Sequence, residues 1–171
     1  MLSSLLLLFA VTHATPSIDE SASLNAAGHG QEFRGIWITR WTWSSEPELR
    51  GMLREIRSAG FNAVFFQVRG EFDAFYPSEI EPWGRQLTGE LGKDPGWDPL
   101  AVAVDEAHDL GMQLHAYLNV FPLWKAGEPP PEEGDPNHAF LGHPEWEIQG
   151  AQGQHLITSE QPYHFASPGN P

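Results

Sequence analysis

The sequence predicts an α/β fold, the N-terminal part of a TIM (β/α)8 barrel, and three observations predict it. Apolar runs alternate with amphipathic stretches in the order strand, helix, strand, helix, strand. The helix-to-strand turns are tight and carry glycine, at Ala59-Gly60 and Leu110-Gly111. The strand-to-helix segments are long, above all Arg69 to Trp97. Barrels of this kind build their sites from the loops after the strands, and their opposite face needs only short turns. An open doubly wound sheet obeys similar rules, but its glycine-rich phosphate fingerprint is missing here.

The elements follow in order. Arg34-Gly35-Ile36-Trp37-Ile38-Thr39 is apolar and β-branched, a first strand. Ser44 and Ser45 can cap a helix with Pro47 in its first turn, where a missing N–H costs nothing. Leu49, Met52, Leu53 and Ile56 then fall at i, i+3, i+4 and i+7 on one face, with Arg50, Arg54, Glu55 and Arg57 outside, and Gly60 stops the helix. Asn62 to Val68 is almost continuously apolar, which predicts a strand buried on both faces. Asp98-Pro99 opens a second helix with Leu100, Ala103, Val104 and Ala107 inward and Gly111 as its stop. Met112 to Leu118 is a third strand. Beyond it the chain is rich in Pro and Gly, without a clear helix. Residues 32–171 fall short of the roughly 250 of a closed barrel, so the chain is expected to stop before the fourth strand.

Upstream, residues 1–14 form an apolar run ending in Thr12-His13-Ala14, the pattern of a cleaved signal peptide, although no Lys or Arg precedes the run. Its apolar core of about ten residues is too short to span a bilayer. Residues 15–31 are small and polar and read as a linker, and residues 32–171 as the barrel portion. The expected location is secreted or periplasmic. The chain has no Cys, so neither disulfides nor a lipid-modified cysteine are available.

Composition narrows the function. A formal charge of −14 with only nine Lys and Arg, all scattered, argues against nucleic acid and against anionic membrane surfaces. Seven Trp suit flat apolar partners such as the faces of sugar rings. Site residues are expected at the strand ends: Trp37, Thr39, Arg40 and Trp41 after the first; Gln67 and Arg69, on one face by the period of two, after the second; His115, Tyr117 and Asn119 after the third. Amides, a guanidinium and an imidazole beside aromatics can hold sugar hydroxyls and stack on ring faces. Each has a plainer reading. Arg69 and Asp73 could pair to pin a loop, and His115 could be a satisfied core residue. Glu71, Glu79 and Glu81 read as solvated, Asp105 and Glu106 as surface charges, and His108 as packing or capping. His108, His115, His138 and His143 supply imidazoles for a metal-dependent lyase or deacetylase, but no pair has metal-motif spacing. No metal and no cofactor are expected.

Several motifs taken together resemble the glycosyl hydrolase-like 10 family. They are Glu32-Phe33-Arg34-Gly35-Ile36-Trp37, the run Gly60 to Arg69, Asp73-Ala74-Phe75-Tyr76-Pro77-Ser78, Glu81-Pro82-Trp83, Leu87-Thr88-Gly89, Asp98-Pro99-Leu100, Glu106-Ala107-His108 and His115 to Asn119. The match continues more weakly through His143-Pro144-Glu145-Trp146 to Pro168-Gly169-Asn170-Pro171. The resemblance implies a (β/α)8 barrel and a glycosidase acting on cell-wall glycan or a related polysaccharide. Division-associated relatives cut peptidoglycan glycan strands stripped of peptides. It places Gln67, Arg69, Asp73, Tyr76, Trp83, His115 and Asn119 along the sugar cleft, and Trp37 joins them as a strand-end aromatic. Two departures stand out: Asn119-Val120-Phe121-Pro122 replaces the family's frequent Asn-Pro-Tyr-Arg, and Val68-Arg69-Gly70 its Val-Arg-Pro. The family's Asp-rich fourth strand end, expected to carry the catalytic carboxylates, lies past Pro171. Asp73 is the one visible candidate for either carboxyl, and it reads more readily as a binding or structural residue. The competing reading is a glycan-binding cell-surface module without catalysis.

Overall fold

The computed structural model describes residues 32–134, 136–160 and 162–169. The expected signal peptide and linker lie outside the described residues. The first five elements are β1 (Gly35–Ile38), α1 (Glu46–Ser58), β2 (Ala63–Arg69), α2 (Pro99–Asp109) and β3 (Gln113–Leu118). The strands form one parallel sheet in the order β1-β2-β3. This is the opening of a TIM barrel, as the alternation of elements predicts.

Local chemistry explains the boundaries. Asp98 caps α2 by accepting from the Ala101 N–H at 3.0 Å, with Pro99 in the first turn. The start of α1 differs from the expectation: Ser45 is the capping position but makes no side-chain bond. Instead Glu48 reaches back and accepts from both the N–H and the hydroxyl of Ser44, at 2.9 and 2.7 Å. Gly60 ends α1 at φ +89°, a conformation that side chains with a Cβ resist.

Both helices cover one face of the sheet. Leu49, Leu53 and Ile56 of α1 and Ala103 and Ala107 of α2 pack with Ile38, Val64, Phe66 and Val68 in one buried cluster. Each large side chain buried there contributes roughly 1.5–3 kcal/mol. Met52, Leu100 and Val104 are only half-buried. Glu106, expected on the surface, is buried between the helices and bridges Arg50 and Arg54, each at 2.8 Å. His108 is exposed rather than packed.

The opposite face departs from the reading of β2 as covered on both sides. Trp37, Phe65 and His115 are register partners across the three strands and form a transverse row. Phe65 is half-buried, while Trp37 and His115 are exposed. Among the described residues no element covers this face.

The chain after β3 holds structure the sequence reading did not find. β4 (Pro122–Lys125) pairs antiparallel with β5 (Tyr163–Phe165). Between them lie a one-turn helix, α3 (Ala139–Gly142), and a 3-10 turn, Pro144–Trp146. A second small core joins Phe72, Leu123 and Ala166 with Ala139, Phe140 and Trp146. No helix among the described residues is long and apolar enough to cross a membrane.

Candidate functional site

The carboxyl ends of β1, β2 and β3 surround a cleft of about 290 Å3, whose walls include Arg40, Trp41, Gln67, Glu71, Tyr117 and Asn119. Gln67 and Tyr117 face each other across the β2–β3 pair. Gln67 is held in place: its Oε1 accepts from the Arg40 N–H at 3.1 Å. Trp41 stands 61% exposed at the rim, with the Arg40 guanidinium 4.6 Å from its ring centre. Burial raises the Tyr117 pKa, against a smaller opposing pull from Arg40, so its phenol stays a hydrogen-bond donor.

Beneath the cleft lies an ion pair that the sequence reading did not select. Arg40 and Glu71 are both 3% exposed and bond to one another. Gly70 makes this possible, because a Cβ there would lie 1.8 Å from an Arg40 nitrogen. Burial raises the Glu71 pKa, with Arg40 opposing and Asp73 reinforcing the shift. Glu71 is therefore sealed rather than solvated. Glu81 is likewise no solvated charge: it pairs with Arg69 at 2.6 Å, and burial raises its pKa.

Arg69 and Gln67 were expected on one face, and the structure separates them. A bulge between them pairs Gln67 with Tyr117 but Arg69 with Leu118, on the other side of β3. Arg69 turns into a second, larger groove of about 630 Å3 that also includes Tyr76, Leu118 and Trp146. There it donates to Glu81 and to the carbonyls of Asn119 and Val120 at 2.6 and 3.1 Å. Its guanidinium lies 3.8 Å from the ring centre of Phe72, a residue at φ +56°. Such a conformation costs on the order of 1–2 kcal/mol outside glycine, and the stacking offsets part of it.

Asp73 does not meet Arg69. It is 3% exposed, and its Oδ1 accepts from the N–H groups of Gly70 and Glu71, each at 2.9 Å, so it folds the loop on itself. Trp83 is half-buried in the same loop, where Ala74 and Trp83 form a bridge. Trp37 and His115 lie below the cleft in the transverse row, with Phe65 between them at ring-centre distances of 4.3 and 5.2 Å.

The strand ends thus bring together Gln67 and Asn119, and place Arg69 with Tyr76 in the neighbouring groove. They leave Asp73, Trp83, Trp37 and His115 outside both. Arg40 stood among the strand-end residues, but Glu71 and the pair it forms with Arg40 were missed; the signal was the Gly that follows Arg69, which leaves room for a large side chain. The four histidines weighed for a metal are scattered: His138 is buried, His143 stacks on Trp146, and His108 and His115 are exposed. His138 instead joins the site loop to the second core. Burial lowers its pKa, Nε2–H donates to the Glu71 carbonyl at 2.5 Å, and Nδ1 accepts from the Phe140 N–H at 3.1 Å.

The glycosyl hydrolase-like 10 profile matches residues 32–169. The chain is 32% identical over 128 residues to "Glycosyl hydrolase YngK" of Bacillus subtilis, covering 68% of this chain and 25% of that protein. It is 33% identical over 126 residues to "Glycosyl hydrolase DigH" of Escherichia coli K12, covering 63% and 29%. The chain therefore spans a quarter to under a third of the curated relatives it matches. A crystal structure of a hypothetical protein from Ruminiclostridium thermocellum superposes with a TM-score of 0.51 at 16% identity, over 79% of this chain and 62% of that one, a likeness of fold alone. The chain belongs to the glycosyl hydrolase-like 10 family.

Proposed function

We propose that this family member serves a glycoside hydrolase that acts outside the cytoplasm on a polysaccharide, the glycan strands of peptidoglycan in the first instance. The β1–β3 strand ends form the substrate-binding side of its cleft. The observation that carries this reading is the strand-end cleft itself: the Gln67 and Asn119 amides and the Tyr117 phenol converge beside an exposed Trp41. Amides and phenols bond to sugar hydroxyls, and an indole face stacks on a pyranose ring. The apolar run at residues 1–14 supports export.

Glycoside cleavage needs two carboxyl groups, roughly 5–5.5 Å apart for retention or 6.5–9.5 Å for inversion. Glu71 is committed to Arg40, Glu81 to Arg69 and Asp73 to backbone N–H groups. We assign to these strand ends the holding of the glycan rather than the breaking of its bond. The same commitment favours a second reading, a module that binds glycan without cutting it.

One experiment separates the two. The protein expressed from its complete reading frame is incubated with peptide-free glycan strands, and both binding and new reducing ends are measured. Binding with release of reducing ends supports the hydrolase, and binding without release supports the module. In either case Gln67→Ala and Asn119→Ala should weaken binding by about tenfold, the loss of one good hydrogen bond. Unchanged affinity in both variants removes the cleft from the proposal.

A further inference from the structure

A second cluster of chemistry-bearing side chains lies away from the strand-end cleft, in the layer built around β5. Glu147, His155 and His164 place one ligand-type atom each within 4.8 Å of one another. The Nδ1 atoms of His155 and His164 lie 2.7 and 2.5 Å from the same carboxylate oxygen, Glu147 Oε1. We propose that these three residues form a binding site for a zinc-class divalent ion, independent of the glycan cleft.

Three features carry the assignment. The first is charge. The Glu147 side chain is 7% exposed and that of His164 15%. Among the described residues no Lys or Arg pairs with Glu147; its side-chain partners are the two imidazoles. A carboxylate so enclosed is stabilised by a positive charge placed beside it. A divalent cation supplies it.

The second feature is the donor set. Two imidazole nitrogens and one carboxylate suit zinc, which takes three protein ligands and leaves a fourth position to water. A cavity of about 270 Å3 borders Glu147 and His164 and has room for that water. Zinc bonds of about 2.0–2.2 Å in a tetrahedron set ligand atoms roughly 3.3 Å apart. The present spacings are those of hydrogen bonds. Rotation of the Glu147 carboxylate and a small movement of the rings provide the remaining distance.

The third feature is preorganisation. The three ligands sit on adjacent extended segments fixed by backbone bonds. Glu147 bridges to Ala166 and Gln149 to His155, and the Ile148 N–H donates to the Phe165 carbonyl at 2.8 Å. A tight turn closed by Gly150 and Gln154 returns His155 to its place, with the Gly150 N–H donating to the Gln154 carbonyl at 2.9 Å. The backbone aims the side chains before any ion arrives. A bound ion ties the return loop and β5 to the segment after the 3-10 turn, and its role is that of a clasp.

The test uses the full chain, freed of metal by chelation and titrated with zinc chloride. One zinc per chain is expected, with a dissociation constant of about 1 µM or below. At a hundredfold excess over that constant, Tm should rise by about 5–10 °C; magnesium should leave Tm unchanged. Histidine 15N resonances report the step directly. Nδ1 of His155 and His164 donates a proton to Glu147 without zinc and presents a lone pair with it, so Nδ1 is protonated in the free protein and Nε2 alone in the zinc-bound one. His155→Ala, at a side chain 58% exposed, should keep the fold and bind zinc at least tenfold more weakly; Glu147→Gln should do the same. Any one of three results overturns the proposal: no binding at 100 µM zinc (about a hundredfold above the expected constant), wild-type affinity in His155→Ala, or zinc binding that leaves both imidazoles' Nδ1 protonated.

Discussion

Ile38, Val64 and Phe66 point to one face of the parallel sheet, and Trp37, Phe65 and His115 to the other. The first three are 2%, 0% and 0% exposed, while Trp37 keeps 62% of its surface. Strand alternation assigns both sets, and both are apolar or aromatic enough to form a core. What separates them is cover: α1 and α2 lie over one face, and no described element lies over the other. Apolar pattern states what a face can bury, and the neighbouring elements decide what it does bury. The folding energy of the described chain is therefore concentrated on the helix side, and the open side carries aromatic surface that costs little to change.

The contrast is exposed to measurement. Phe66→Ala should lose about 3–5 kcal/mol of stability in urea unfolding, since it leaves a cavity under both helices. A loss below 1 kcal/mol (about the size of an ordinary surface change) would mean that the helix side is not the core. At the strand ends, Glu71→Ala strands the Arg40 charge and should cost about 3 kcal/mol. Replacing both residues with apolar ones should recover much of that loss; if it does not, the pair is more than a burial partnership.

His138 gives a smaller, pH-dependent effect. Its folded pKa is lowered from 6.5 by burial, so the unfolded chain takes up a proton first as pH falls. Its contribution is fully present above pH 6.5 and declines below it, through the folded pKa. His138→Gln, which does not titrate, should flatten the fall in stability between about pH 6.5 and pH 5 relative to the parent. An unchanged slope would place the titrating group elsewhere. Trp37→Ala should have the least effect, within about 0.5 kcal/mol. If it costs as much as Phe66→Ala, the two faces are energetically alike and the comparison fails.

How much of this was legible depended on the range of the interaction. Periods of 3.6 and 2, glycine stops and the Asp98-Pro99 cap are local, and they located α1, α2 and β1–β3. Whether a carboxylate is solvated is not local. Glu71 finds Arg40 at a separation of 31 residues and Glu106 finds Arg50 at 56, so neither burial shows in the flanking sequence. β4 and β5 are short and bordered by proline, too brief for alternation to register. Glu147, His155 and His164 carry no motif spacing, being 8 and 17 residues apart on a path bent by a turn. Gln67 with Arg69 shows the reverse case: the period of two was read correctly, and one extra residue in the strand overrode it.

That extra residue resets the phase of β2. Up to Gln67 the strand keeps time with the barrel wall; from Arg69 onward it keeps time with the loops. A chain built this way can exchange its loop sequences without shifting the layers of its wall. Deleting one residue at the bulge would restore an even ladder and still leave Arg69 opposite Leu118, on the face away from the cleft that Gln67 lines.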